Sequence, residues 1–185
     1  MLQDIQNIII QARSKKSIRE IAQLAIEDDS ILILLLKNIR IEKDRSFYTS
    51  SWALSDISEI NHTIFKPHIA YIFSTIQNSN HPGLKRNLMK LMQFVEIPGD
   101  LELEIGETCL SYFKDQHETI AVRAYSVTIL EQLIPQNMIF NEDVLFEIER
   151  QRIQATPALN ARTKRYLKKV KKLGISNFTN VFNDF

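Results

Sequence analysis

Trp52 and Asp56 have residue types and a spacing that could form a chemical site. They lie four positions apart in the stretch SFYTSSWALSDISEINH, and Trp52 is the single tryptophan of the chain. On a helix this spacing places the indole and the carboxylate on one face, one turn apart. An indole face attracts a cation, and a carboxylate neutralises it. The alternative is an indole that fills a helix–helix core, with the aspartate at the edge of the apolar stripe. Core packing is our prediction.

The motifs of common catalytic and metal sites do not occur in the sequence. The histidines His62, His68, His81 and His117 form no i, i+4 pair, and the chain has no Cys-x-x-Cys. It also lacks the nucleophile elbow, the Walker-type glycine loop and the dinucleotide-binding fingerprint. Cys109 lies on an apolar stripe, where an inert buried thiol is expected. We therefore expect a protein without metal, cofactor or bond chemistry, and lean against an enzyme.

Composition favours helices over turn-rich folds. The 185 residues include only four glycines and five prolines, and 44% are hydrophobic, whereas average usage would give about a dozen glycines. The net charge of +1 means that any contact with a polyanion must come from a local patch. The single cysteine fits a reducing compartment, and no apolar run is long enough for a membrane span. The chain is expected to be a cytoplasmic, all-α protein.

Apolar residues recur at helical spacing along the whole chain. The polar and Pro/Gly interruptions predict a short helix ILILLLKNI that is capped by Asp29 or Ser30, and a helix that is opened by NHPG and runs through Glu96. They also predict helices at about Leu2–Arg13, Ser17–Glu27, Phe47–Ile60, Ile64–Gln77, Leu101–Lys114, Glu118–Ile134, Asn141–Gln154 and Pro157–Gly174. Pro67 is expected in the first turn of its helix, where a missing N–H is tolerated. Gly174 is expected to form a left-handed cap.

The helices also repeat along the sequence. LKRNLMKLMQFVEIP (84–98) aligns with AVRAYSVTILEQLIP (121–135) at an offset of 37, which matches Arg86 with Arg123. Arg162 follows 39 residues later. This period predicts an α-solenoid of about four helix pairs plus a C-terminal capping helix. We predict one repeat domain over residues 1–174, and a Phe-rich tail over 175–185 that either folds back or docks on another chain.

The segments AVRAYSVTIL and LKRNLMKLM resemble HEAT-type repeats, and SSWALSDI is similar to the first helix of armadillo and HEAT repeats. The resemblance covers about residues 16–173. It implies a right-handed superhelix that acts as a non-catalytic scaffold and binds a protein or peptide on its concave face. A weaker resemblance, to HEAT-like DNA alkylation-repair glycosylases, implies an alternative function in nucleic-acid binding. Its site would comprise Trp52 and Asp56, with Arg86 or Lys90 as a third member.

Two charged faces are predicted. In solenoids the second helix of each pair usually lines the concave surface, and here those helices carry the acidic residues Glu104, Glu107, Asp143 and Glu147. Such a surface repels phosphates and suits a basic peptide. The segment RTKRYLKKVKK instead holds seven Lys or Arg, and its predicted basic face comprises Arg162, Arg165, Lys168, Lys169 and Lys172. A polyanion contact and a polar capping helix are both compatible with this face, and the cap is favoured.

Overall fold

The computed structural model describes residues 2–41, 44–134, 141–151 and 155–175, and all regular elements within these ranges are helical. The ten α-helices in the described ranges are α1 Leu2–Gln11, α2 Lys15–Glu27, α3 Asp29–Asn38, α4 Ser46–Ile60, α5 Ile69–Asn78, α6 Pro82–Met92, α7 Glu102–Lys114, α8 Ile120–Leu133, α9 Asn141–Gln151 and α10 Pro157–Lys172. The all-α prediction is confirmed, while the handedness and the number of pairs stay predictions. None of the helices in these ranges has the length and apolarity that crossing a membrane requires.

Short polar side chains begin several of these helices. Asp28 caps α3 by accepting a hydrogen bond from the Ser30 N–H at 2.8 Å, so the predicted caps at Asp29 and Ser30 are one and two residues too late. Thr156 caps α10 directly before Pro157, whose missing N–H is harmless there. At the other end of α10, Gly174 has φ +68°, and the predicted left-handed cap is confirmed.

The largest differences from the predicted helix boundaries lie at the start of α5 and the end of α6. The segment His62–His68 is a 3₁₀-helix and α5 begins only at Ile69, because Pro67 cannot donate to an α-helical ladder and restricts the residue before it. The helix α6 ends at Met92, and the chain then turns so that Val95 and Ile97 enter the core. Burial of these two side chains explains why the predicted continuation to Glu96 is not seen.

The chain divides into two compact units, Met1–Ile97 and Pro98–Phe185. In the first unit, α4 is the central helix and packs against α1, α2, α3 and α6. Its buried positions are mostly small and hydroxyl-bearing, namely Ser46, Thr49, Ser50, Ser51, Ser55 and Ser58. Asn38 Nδ2 donates to Ser50 Oγ at 3.2 Å, and Asn87 Nδ2 donates to Ser51 Oγ at 3.0 Å. These bonds tie α3 and α6 to α4 at close range.

In the second unit, α8 packs against α7 and α10, and α7 also contacts α9. Phe113, Val127 and Tyr166 are among its buried side chains. Tyr166 Oη donates to Asn141 Oδ1 at 2.6 Å and so joins α10 to the start of α9. The single domain over 1–174 stays a prediction. Of the predicted tail, only residue 175 is described, so Phe178, Phe182 and Phe185 lie outside the described residues.

Candidate functional site

Trp52 lies on α4 and is partly buried. Tyr48, Trp52 and Asp56 follow one another at one-turn spacing, all three are partly buried, and the rings of Tyr48 and Trp52 have centroids 6.4 Å apart. The residues that align with Trp52 in the later repeats, Met89 and Ser126, are buried. The indole is thus not fully buried as predicted, and the stripe Tyr48–Trp52–Asp56, here called the α4 face, is partly exposed.

Asp56 is held in an unusual electrostatic setting. Its Oδ2 atom is buried and has no hydrogen-bond partner among the described residues. Burial raises the pKa of Asp56 above its ordinary value, and Glu59 raises it further. Lys90 of α6, and Arg19 and Lys15 of α2, lower this pKa and so oppose the shift. Cations of α2 and α6 thus act on this carboxylate, yet no donor among the described residues satisfies its inner oxygen.

The predicted third member, Arg86, bonds to Tyr48, which lies about two helical turns from Asp56 on α4. Its Nη2 donates to Tyr48 Oη at 3.5 Å and to Asn87 Oδ1 at 3.4 Å. The ring of Tyr48 also packs against Gly83, where an added Cβ would lie 2.8 Å from Tyr48 Cε2. Arg86 therefore positions the aromatic end of the α4 face. Among the cations near Asp56, Lys90 has the largest effect on its pKa.

The second unit presents an acidic surface with exposed apolar side chains. Leu103 is 51% exposed on α7 and Phe146 is 68% exposed on α9. Lys114 Nζ pairs with Asp143 Oδ1 at 3.5 Å, which joins the exposed sides of the two helices. We define the acidic α7/α9 surface by its exposed residues Leu103, Glu104, Glu107, Glu142, Asp143, Phe146 and Glu149.

Glu147 does not belong to this surface, and its prediction as an exposed acidic residue is wrong. It is 2% exposed and lies on the same helical stripe as Val144 and Ile148. Arg150 holds its carboxylate through two bonds, Nε to Oε2 at 2.9 Å and Nη2 to Oε1 at 2.7 Å, and Gln151 Nε2 donates to Oε1 as well. Glu147 is buried because these donors replace its hydration.

The predicted basic face of α10 separates into two rows. Arg165 Nε donates to Glu131 Oε2 at 2.6 Å, Lys169 Nζ to the Glu131 carbonyl at 2.6 Å, and Arg162 Nη1 to Thr128 Oγ1 at 2.9 Å. These three residues dock α10 onto α8. The second row, here called the lysine row, consists of the exposed residues Lys164, Lys168, Lys171 and Lys172, and Arg165 of the first row is exposed as well. The predicted basic face omitted Lys164 and Lys171, although their i, i+4, i+7, i+8 spacing with Lys168 and Lys172 marks one helix face.

Metal binding and thiol chemistry find no support in the described residues. No group of three or more His, Cys, Asp or Glu side chains in that part of the chain could hold a metal ion. Cys109 is fully buried, and burial raises the pKa of its thiol to about 12. A thiol with so small a thiolate fraction is a poor nucleophile.

Comparison with known proteins identifies a family. The family model described as HEAT repeat domain matches residues 5–170. Comparison with curated proteins gives no match, and neither does comparison with solved structures. The matched range includes α2 to α9 in full, and most of α1 and α10.

Proposed function

The chain belongs to the HEAT repeat family, and from this premise we propose that it is a non-catalytic interaction scaffold that binds a basic segment of a partner protein. The acidic α7/α9 surface is the proposed docking site. Its helices are the second members of their predicted pairs, which supports the proposal that this surface belongs to the concave face expected of such repeats.

The exposure of Phe146 is the observation that carries this proposal. An aromatic side chain that is 68% exposed, between acidic neighbours on its own helix, offers an apolar anchor within a charged rim. Aromatic anchors surrounded by polar residues are typical of protein interfaces. The charge of the rim favours a partner segment rich in Lys or Arg, with an apolar residue that covers the Phe146 ring.

Peptide binding tests the proposal directly. A fluorescein-labelled peptide of Lys, Arg and Leu is titrated with the full chain and followed by anisotropy, beside a peptide of the same length in which Glu replaces each basic residue. We expect saturable binding of the basic peptide that weakens as salt rises, because exposed charges are screened. Equal binding of both peptides, or binding of neither, would contradict the proposal.

The proposed setting is a reducing compartment such as the cytoplasm. Cys109 is the single cysteine of the chain and is buried, so it has no partner for an intrachain disulfide.

A second candidate function is nucleic-acid binding at the α4 face. Trp52 is partly exposed there, and Lys15 and Arg19 of α2 are exposed and close enough to affect the pKa of Asp56. Aromatic rings stack on bases, and cations bind phosphates. The partial exposure of Trp52 supports the resemblance to alkylation-repair glycosylases better than the sequence alone does, because a fully buried indole could not stack on a base.

DNA binding at several salt concentrations distinguishes this candidate. Trp52 is the single tryptophan, so its fluorescence reports a ligand on the α4 face. If the candidate is correct, DNA quenches this fluorescence and the affinity falls steeply with salt. An unchanged emission, or a flat salt response, would count against it. Release of an alkylated base, lost in Asp56→Asn, would establish catalysis.

A further inference from the structure

A small cavity of about 190 Å³ lies within the second unit, at the ends of α8, α9 and α10. Arg123 of α8 and Arg150 of α9 both line it, together with Gln116, Gln151 and Thr156. The described wall of this cavity contains no acidic side chain. Two guanidinium groups therefore border one space that no carboxylate enters, and we call this space the arginine cavity.

Arg123 is incompletely satisfied in this position. Its Nη2 donates to Gln151 Oε1 at 2.5 Å. Its Nε is buried and finds no acceptor among the described residues. A buried donor without an acceptor is costly, and native structures usually provide an ion or a water for it. The unsatisfied Nε–H of Arg123 thus indicates that an acceptor enters from outside the chain.

The hydrogen-bond partner of Arg123 in the described part of the chain is a neutral side chain. Glu147 is the nearest buried carboxylate of α9, and Arg150 already binds both of its oxygens. Gln151 lies between Glu147 and Arg123, and its Nε2 also donates to the Phe113 carbonyl at 3.0 Å. The amide of Gln151 is thereby fixed with its oxygen toward Arg123, which gains a neutral acceptor but no counter-charge.

The repeat-equivalent Arg162 shows a different environment. Its Nη1 donates to Thr128 Oγ1 at 2.9 Å, and its guanidinium carbon lies 5.9 Å from the centre of the Tyr125 ring. The arrangement at Arg123 is therefore not a general property of this repeat position.

We propose that the arginine cavity binds one oxyanion, presented as a phosphate or a carboxylate group, with Arg123 as the principal ligand. Arginine forms charge-assisted, often paired hydrogen bonds with both groups. Ligand pockets for drug-sized molecules usually measure roughly 300–1,000 Å³, so a cavity of about 190 Å³ admits a small anion or a single anionic group. This site is separate from the acidic α7/α9 surface and carries the opposite charge.

Arginine side-chain NMR tests the proposal on the full chain. The Nε–H resonance of Arg123 is assigned by its loss in Arg123→Gln, and the protein is titrated with inorganic phosphate, sodium acetate and sodium chloride at matched ionic strength. We expect phosphate or acetate to shift this resonance saturably, while chloride does not. A response to phosphate alone assigns a phosphate site, and a response to acetate alone assigns a carboxylate site.

Two variants complete the test. Arg123→Lys keeps the charge but loses the paired donors, and we expect the dissociation constant, followed through the backbone amide resonances beside the cavity, to rise about tenfold or more. Arg86→Gln, at the equivalent position in the first unit, is expected to leave it unchanged. Equal shifts with chloride, no saturation, or undiminished binding in Arg123→Lys would each overturn the proposal. Basic-peptide binding requires none of these groups, so either proposal can fail alone.

Discussion

The α4 face of the first unit and the acidic α7/α9 surface of the second combine apolar side chains with opposite charges. On the α4 face, Tyr48 and Trp52 are partly buried, and cations from α2 and α6 surround Asp56. On the acidic α7/α9 surface, Leu103 and Phe146 are exposed between carboxylates. The repeat that the two units share therefore does not determine what their surfaces bind, because outward-facing residues vary freely while inward-facing residues must pack.

The largest expected effect comes from reversing charge on the acidic α7/α9 surface. Glu107→Lys combined with Glu142→Lys places like charges opposite a basic partner, so we expect basic-peptide affinity to fall about 100-fold or more. Peptide anisotropy measures this fall. The matched control is Lys15→Glu combined with Arg19→Glu beside the α4 face, which should leave the affinity within about twofold. Equal losses in both variants would mean that the two surfaces do not differ as proposed.

Removal of the aromatic anchor should have the next largest effect. Phe146→Ala is expected to weaken binding of the basic peptide about 30-fold, the usual consequence of truncating a central aromatic contact. Ile60, on α4, has a comparable exposure of 64%, against 68% for Phe146. Ile60→Ala is therefore the control, and isothermal titration should show its affinity unchanged. A loss in Ile60→Ala equal to that in Phe146→Ala would remove the special role of the anchor.

A third variant tests how firmly α9 is held in place. Tyr166→Phe removes the buried bond to Asn141 Oδ1 and should cost about 1–2 kcal/mol of stability in the second unit. Cys109 is buried in this unit, so its labelling by a thiol reagent reports opening there. We expect labelling to accelerate about 5- to 30-fold. An unchanged rate would show that Asn141 finds another donor of equal strength.

The smallest effect concerns Asp56. Because burial raises the pKa of Asp56, the folded chain binds a proton more readily than the unfolded chain, and stability falls as pH rises through the window above 3.8. Asp56→Asn removes the free-energy cost of burying a charged carboxylate. The gain in stability is limited, because Lys90 and Arg19 lose an attractive charge.

Thermal unfolding at two pH values measures this difference. At pH 7 we expect Asp56→Asn to raise Tm by about 1–2 °C. The gain should disappear near pH 3, below the ordinary pKa of the group, where wild-type Asp56 is protonated in both states. A lower Tm for the variant at pH 7 would mean that the cations around Asp56 outweigh its burial.

The helices were predictable because apolar stripes and caps are local features of sequence. The predicted Phe47–Ile60 helix is α4, Ser46–Ile60, and Gly174 forms the predicted left-handed cap. The first turn predicted around Pro67 is instead 3₁₀, because Pro67 restricts the residue before it, and Phe65 in this segment is fully buried. Apolar stripes and caps thus predict the presence of the helices better than the conformation of the segments that connect them.

The site was less predictable because burial depends on neighbouring helices. Trp52 aligns with the buried Met89, but alignment does not show whether α2 and α6 cover an indole as fully as a thioether. Glu147 looks like its exposed neighbours in the sequence, and its burial follows from Arg150 and Gln151, which wrap its carboxylate from the same helix. The spacing of these donors, i+3 and i+4, was the available signal.

The buried hydroxyl-bearing residues of α4 help to determine how closely α3 and α6 pack against this helix. Ser50 and Ser51 are buried and hydrogen-bonded to Asn38 and Asn87. The distances from α4 to α3 and α6 therefore depend on side chains in the protein interior. Replacing such a serine with a longer residue would force the neighbouring helices outward. Engineering the interior alone would therefore change how α4 packs, with every surface residue kept.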